Sequence, residues 1–268
     1  MTIEKITRKS HYYNEDRFFI GKNYFMVMDG ATPLIKNEIS PTEASWFVSI
    51  IKKHLPNYTD SVIDELKKIS EFASKKLEEF NIPKQNEYLV SAGLAWIEIR
   101  ENKIFAHTIG DCEVTVRLRN KQIIRVYQEQ LIKLDSIALQ ELKEVSKKKN
   151  IPIKEAMKDI KQTLIKHRKL MNKINGYSVY TPSSNPDFNY SEMQFNLNEI
   201  DEIYIYTDGL SQAFDELEIC SYEKLFSNSI DLKNIVNLIE KKALSDRNCE
   251  KYPRFKKIDD IAIIKIKF

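Results

Sequence analysis

Cysteine is sparse in this chain: Cys112, Cys220 and Cys249 stand far apart, with no Cys-x-x-Cys pair. That odd, scattered set excludes a disulfide framework and a thiolate zinc site, and it fits a reducing compartment. No apolar run approaches the roughly eighteen residues that a membrane span needs. The first ten residues, Met1 to Ser10, are polar and charged and lack the apolar core of a signal peptide. The expected location is therefore the cytoplasm. Charge of one sign is also lacking. Charged residues make up 30% of the chain, yet the formal net charge is only +3, so the overall balance does not call for nucleic acid. Repeats, low-complexity linkers and clear domain boundaries are absent, and residues 1–268 read as one domain.

What is present is enough apolar residue, 42%, to bury a substantial core. Arg17–Ile20 and Tyr24–Met28 read as strands joined by a turn at Gly21-Lys22-Asn23. Ser40 is expected to cap a helix that begins at Pro41, with Glu43 completing a capping box and Trp46, Phe47, Ile50, Ile51 and Leu55 on its apolar face. A second helix is expected from Asp60 to Phe80. Leu89–Ile99, Lys103–Ile109, Glu113–Arg119 and Gln122–Val126 change to a period of two and read as successive antiparallel strands. Residues 136–173 read as helical and strongly basic, with a break at Asn150-Ile151-Pro152. Tyr177–Tyr180 and Met193–Leu197 read as short strands around a polar loop, Thr181–Ser191. Glu202–Tyr206 is a buried strand, Asp231 starts an amphipathic helix with Leu232, Ile235, Val236, Leu238 and Ile239 inward, and Ile261–Phe268 is the last strand. Strands in antiparallel groups with helices between them point to stacked antiparallel sheets covered by helices.

Carboxylates recur at strand ends. Asp29 follows Phe25–Met28 and precedes Gly30. Asp208 follows Ile203–Thr207 and precedes Gly209. Asp111 follows Gly110, and Asp259 and Asp260 immediately precede Ile261. A turn centred on Lys22 would set Glu15 opposite Asp29, and directly opposed residues share a face. Each Asp-Gly taken alone is an ordinary turn dipeptide. Several carboxylates gathered at one end of a sandwich need cations, because mutual repulsion would otherwise protonate some of them. Hard divalent cations with oxygen ligands meet that need.

Asn14-Glu15-Asp16, Met28-Asp29-Gly30, Gly110-Asp111-Cys112, Thr207-Asp208-Gly209 and Asp259-Asp260, in that order over nearly the whole chain, resemble the metal-dependent protein Ser/Thr phosphatases of type 2C, in their compact bacterial form. The resemblance implies an α+β, four-layer α-β-β-α sandwich, with two central antiparallel sheets flanked by helix pairs. It implies a binuclear Mn²⁺ or Mg²⁺ centre with Asp29 bridging, Asp208 and Asp259 completing one site, and Glu15 and the Gly30 carbonyl serving the other. Asp111 matches the position of a third, weaker metal. The implied chemistry is hydrolysis of phosphoserine or phosphothreonine by metal-activated water. The substrate would be a phosphoprotein marked by a Ser/Thr kinase. A non-catalytic relative that keeps the fold as a binding module is the alternative.

Three departures bear on substrate orientation. His11 stands where the family often has a phosphate-binding arginine, and it reads equally as a phosphate contact, a general acid or an exposed loop histidine. Ala31-Thr32-Pro33-Leu34 replaces the usual His or Met and glycines. Cys112 replaces the usual serine. His107, inside a strand, reads as a core or interface histidine. The lysines of residues 143–173 lack interleaved aromatics, which disfavours a nucleic-acid face. Thr181–Ser191 falls where the family has its variable flap.

Overall fold

The computed structural model describes residues 1–55 and 61–268. Ten strands form two five-stranded antiparallel sheets. The strands are β1 (Thr2–Arg8), β2 (Asp16–Ile20), β3 (Tyr24–Ala31), β4 (Ser91–Arg100), β5 (Lys103–Ile109), β6 (Glu113–Leu118), β7 (Ile123–Val126), β8 (Ser191–Asn196), β9 (Ile200–Tyr206) and β10 (Ile261–Lys267). One sheet has the order β1-β10-β9-β6-β7, the other β2-β3-β4-β5-β8. The helices are α1 (Glu43–His54), α2 (Val62–Glu79), α3 (Glu129–Lys149), α4 (Ile153–Ala156), α5 (Lys161–Lys169), α6 (Asp208–Asp215), α7 (Tyr222–Ser227) and α8 (Leu232–Ser245).

The period of two along each strand builds the layers. In β3, Phe25 and Val27 face the other sheet, while Tyr24, Met26 and Met28 pack beneath α1 and α2. In β9 and β10, Ile203, Ile205, Ala262, Ile264 and Ile266 fill the space between the sheets. Their alternates Tyr204, Tyr206, Ile261 and Ile263 meet α6, α7 and α8. This is the expected α+β sandwich of two antiparallel sheets with helices outside. The chain between β7 and β8 leaves the sandwich. There α3, α4 and α5 bury Leu142, Ile153, Ala156 and Ile160 against Cys249 in a separate small core.

Several local expectations shift. The cap of α1 is Thr42, whose hydroxyl accepts from Ser45 N at 3.1 Å, so the helix starts two residues after Pro41. The cap of α2 is Ser61; the expected start at Asp60 lies outside the described residues. The basic helical stretch starts earlier than read, at Glu129, and breaks at Asn150, whose left-handed φ of 52° ends α3. Tyr177–Tyr180 is not a strand: it makes only single bridges, Tyr177 to Met171 and Tyr180 to Ala92. Leu238 of α8 faces outward at 40% exposure. The four strands read as one succession divide, with β4 and β5 in one sheet and β6 and β7 in the other. The crossing between them is Gly110-Asp111-Cys112, which puts Asp111 at the seam of the sandwich.

Candidate metal centre

The β2–β3 hairpin sets the first pair of carboxylates. Its register opposes Phe25 to Ile20 and Asp29 to Asp16. The turn is centred between Lys22 and Asn23, half a residue beyond the expected centre. Asp16, not Glu15, therefore faces Asp29 across the sheet. A one-residue slip moves every side chain to the other face, so Asp16 is 1% exposed beside Asp29 at 7%, and Glu15 stays at the rim. Glu15 contributes its backbone: its N–H donates to Asp260 Oδ2 at 2.5 Å, and its carbonyl accepts from Gly30 N at 3.1 Å. Its carboxylate accepts from Thr32 Oγ1 at 3.4 Å. At Gly30 a Cβ would stand 2.9 Å from Ala44 O and 3.0 Å from Glu15 O, so only glycine lets the chain pass there.

The second pair comes from the other sheet. β9 and β10 are antiparallel neighbours, with Tyr206 opposite Ile263. Asp208, just beyond β9, begins α6, and Asp259 lies just before β10. The ends of the two strands thus meet, as expected. Gln212 Oε1 of α6 accepts from Asp259 N at 3.3 Å. Asp111 enters from the crossing between sheets. Carboxylate oxygens of Asp29 and Asp111 and the Cys112 sulfur lie within 4.8 Å of one another.

Asp260 belongs to the scaffold. It accepts from Ser10 N at 2.6 Å, Ser10 Oγ at 2.7 Å and Glu15 N at 2.5 Å, and so ties the β1–β2 loop to the start of β10. His11, next to Ser10, is exposed and lines neither of the two clefts at the centre.

The electrostatics are those of like charges held out of water. Burial pushes Asp16 and Asp29 well above the usual carboxylate range. Asp259 adds most to the rise at Asp16, and Asp16 and Asp208 add most at Asp29. Asp111 and Asp208 are raised chiefly by burial, and Asp259 is pushed up to about 6 by burial and by Asp208. Cys112 is driven further into its neutral thiol form by burial and by the charge of Asp29.

Among the described residues, Lys256 opposes this repulsion at Asp259, and Arg17 lies near Asp16. The Lys256 ammonium, on a half-exposed side chain, bonds both oxygens of Asp259 at 2.7 and 2.8 Å. The charges of Asp259, Asp208 and Asp29 raise its pKa against the effect of burial. The donor set fits divalent cations. It is almost wholly oxygen, it is more negative than Lys256 can balance, and Asp16 Oδ2 and Asp208 Oδ1 are buried without a hydrogen-bond partner.

Two clefts open onto the centre. The larger, about 420 Å³, runs under α3 and α6 past Asp111, Asp208 and Asp259 to Asp135, Asp215 and Glu216. The smaller, about 200 Å³, has Asp29 and Asp111 at one end and His167, Arg168 and Tyr177 on its wall. Asp135 borders both. Sequence reasoning singled out Asp29, Asp111, Asp208 and Asp259, and the fold brings these four together. It did not single out Asp16, Lys256, Asp135, Glu216 or Arg168. A turn centred half a residue further along would have set Asp16 opposite Asp29. The others come from the chain between β7 and β8 and from loops or helices whose placement no local pattern announces.

No protein-family model and no curated protein matches the sequence. Solved structures do match the fold along the whole chain. PppA, a key regulatory component of T6SS in Pseudomonas aeruginosa, is 13% identical, with TM-score 0.59 over 100% of this chain and 97% of that one. The serine/threonine phosphatase Stp1 from Staphylococcus aureus is 13% identical, with TM-score 0.56 over 99% and 94%. The catalytic domain of the serine/threonine protein phosphatase PstP, solved with two manganese ions, is 12% identical, with TM-score 0.55 over 98% and 96%. Identities this low speak to architecture alone, and on that ground the chain has the fold of the bacterial serine/threonine phosphatases.

Proposed function

We propose that this protein is a metal-dependent phosphomonoester hydrolase acting on phosphoserine or phosphothreonine in proteins. The observation that carries the reading is the convergence of Asp16, Asp29, Asp111, Asp208 and Asp259 at one end of the sandwich, with unpartnered oxygens on Asp16 and Asp208. A chain bears the cost of burying like charges where the charges have work to do. Asp29, Asp208 and Asp259, joined by Asp16 and the Gly30 carbonyl, would hold two Mn²⁺ or Mg²⁺ ions. Asp111 would serve a third, weaker one, and Glu15 stays at the rim. Bound there, the ions supply charge for the phosphate to meet and acidify water at neutral pH.

The chain's own residues do the rest. The two sheets fix the carboxylates on rigid strand ends. Gly30 lets backbone and carboxylate share one face. Asp260 pins the loop that carries Ser10 and His11 beside the centre. No side-chain nucleophile is required, and Cys112, buried and neutral, does not supply one. A Ser/Thr kinase of the same cell compartment, the cytoplasm, would supply the substrate; among the described residues no helix is long and apolar enough to cross a membrane.

The Lys256–Asp259 ion pair, which neutralises a proposed ligand from within, adds to His11 and the altered loop after Asp29 in favour of the alternative, a non-catalytic binding module. Hydrolysis of an aryl phosphate and a phosphothreonine peptide with added Mn²⁺, comparing wild type with Asp208→Asn, separates the two readings. Metal-dependent turnover that falls at least a hundredfold in the variant is expected. A well-folded wild type that binds Mn²⁺ and turns over neither substrate would establish the binding module instead.

A further inference from the structure

The acidic cleft that opens onto the carboxylate centre carries carboxylates that the proposed two-ion core does not use. In the proposed centre, Asp16, Asp29, Asp111, Asp208 and Asp259 would be offset by two divalent ions together with Lys256, before any third ion at Asp111 is counted. Glu113 and Asp215 share Arg125, at hydrogen-bond contact and at 3.7 Å. Asp135 and Glu216 remain. Neither makes an ion pair among the described residues, although Gln212 Nε2 donates to Glu216 at 2.7 Å. Ser211 lines the same cleft at 7% exposure, and among the described residues its hydroxyl has no hydrogen-bond partner. A buried polar atom left unpaired costs free energy unless a ligand meets it.

The walls are of another kind. Ile132, Leu139 and Phe255 line the cleft with apolar surface. A hydrated hard cation gains nothing from such walls. A long side chain with an apolar stem and a cationic head matches both features. The volume, about 420 Å³ with the space in front of Asp111, Asp208 and Asp259 included, is in the range of ligand-binding clefts.

We infer that this cleft is the subsite for a basic side chain, lysine or arginine, next to the phosphorylated residue of the substrate. The inference rests on the phosphatase reading and narrows it to phosphoproteins with basic flanks. Asp135 and Glu216 receive the cationic head, and Ile132, Leu139 and Phe255 receive its stem.

The test is binding of non-hydrolysable phosphonate analogues of two phosphothreonine peptides, identical except for arginine or alanine at the flanking positions. Fluorescence anisotropy with the Mn²⁺-loaded protein reads the affinity, and aryl phosphate hydrolysis is followed in parallel. The arginine peptide is expected to bind wild type about tenfold more tightly. In the Asp135→Asn/Glu216→Gln double variant the preference should fall to within about twofold, with the alanine peptide and aryl phosphate turnover unchanged. Equal binding of both peptides by wild type overturns the subsite, as does a preference that survives in the double variant. Loss of one bound Mn²⁺ per chain in the double variant also overturns it, by making the cleft a metal site. Turnover without the preference leaves the phosphatase reading standing alone. The preference without turnover leaves the subsite on a binding protein.

Discussion

His107 shows how one residue inside the sandwich carries a charge-state cost. Its ring stacks on Trp96 at 4.6 Å, with Nδ1 3.3 Å from Glu192 Oε2 and Nε2 3.7 Å from Glu98 Oε1, and among the described residues neither nitrogen has a hydrogen-bond partner. Burial lowers its pKa from 6.5 to about 4, against the pull of Glu98. Below pH 6.5 the unfolded chain takes up a proton that the folded one refuses, so stability is lost as pH falls from 6.5 toward 4. At roughly 1.4 kcal/mol per unit the full loss is about 3 kcal/mol. The metal-free carboxylate centre acts in the opposite sense. Its carboxyl pKa values are raised, so the folded state takes up protons first and gains stability as pH falls. The difference between wild type and His107→Phe isolates the histidine. Urea unfolding at pH 7.5 and pH 5 should show wild type losing about 2 kcal/mol more than the variant; equal losses would mean that His107 titrates normally. The sequence placed His107 in a strand and out of the ligand set. It could not show the Trp96 ring over it, because that contact joins neighbouring strands, β4 and β5, at Trp96 opposite His107.

At the scale of elements, α6 is locked to β10 through a glycine. A Cβ at Gly209 would stand 1.9 Å from the Asp260 carbonyl oxygen and 2.8 Å from Ile261 Cγ1. The first of these is backbone and cannot step aside. Gly209→Ala should therefore cost about 3 kcal/mol, seen as a lower urea midpoint at unchanged slope. It should also weaken Mn²⁺ binding, because the shift falls between Asp208 and Asp259. An unchanged midpoint would mean that α6 slides freely on the strand. The Asp-Gly dipeptide at this place was legible as a strand end, but it reads equally as a turn. α6 itself went unread, since eight residues with Asp, Gly and Ser in the first turn give little helical periodicity. The hairpin teaches the same lesson from the other side. Its two strands and its turn residues were legible, whereas the half-residue choice of turn centre was not, and that choice decides whether Glu15 or Asp16 enters the sandwich.

For the whole molecule, the proposed centre would link metal to folding. The carboxylates proposed to hold the ions, drawn from β2, β3, the β5–β6 crossing, the start of α6 and the segment before β10, come together only in the folded chain, so ions that bound them would stabilise it by mass action. At a Mn²⁺ concentration one hundred times the Kd the gain is about 2.7 kcal/mol. For a chain of this size that corresponds to a rise in Tm of roughly 5–10 °C. A chelator should reverse the rise, and Asp29→Asn should abolish it. In the metal-free state the same variant should melt no lower than wild type, because it removes one of several repelling charges. Scanning calorimetry with and without Mn²⁺ checks all three outcomes, and a Tm indifferent to Mn²⁺ would remove the metal centre from the proposal.

The sequence by itself determined the layers, because alternation along β3, β4, β9 and β10 assigns each side chain a face wherever the strands pair. It also determined that Asp29, Asp111, Asp208 and Asp259 stand at strand ends, because each follows or precedes an apolar run. Tertiary structure alone decided which carboxylates meet, since that depends on hairpin register and on the division of four successive strands between two sheets. It alone decided what surrounds them. Lys256 pairs with Asp259, and Asp135, Glu216 and Arg168 line the adjoining clefts, from segments far apart in the chain; contacts of that kind are set by packing, which no local period in a sequence encodes.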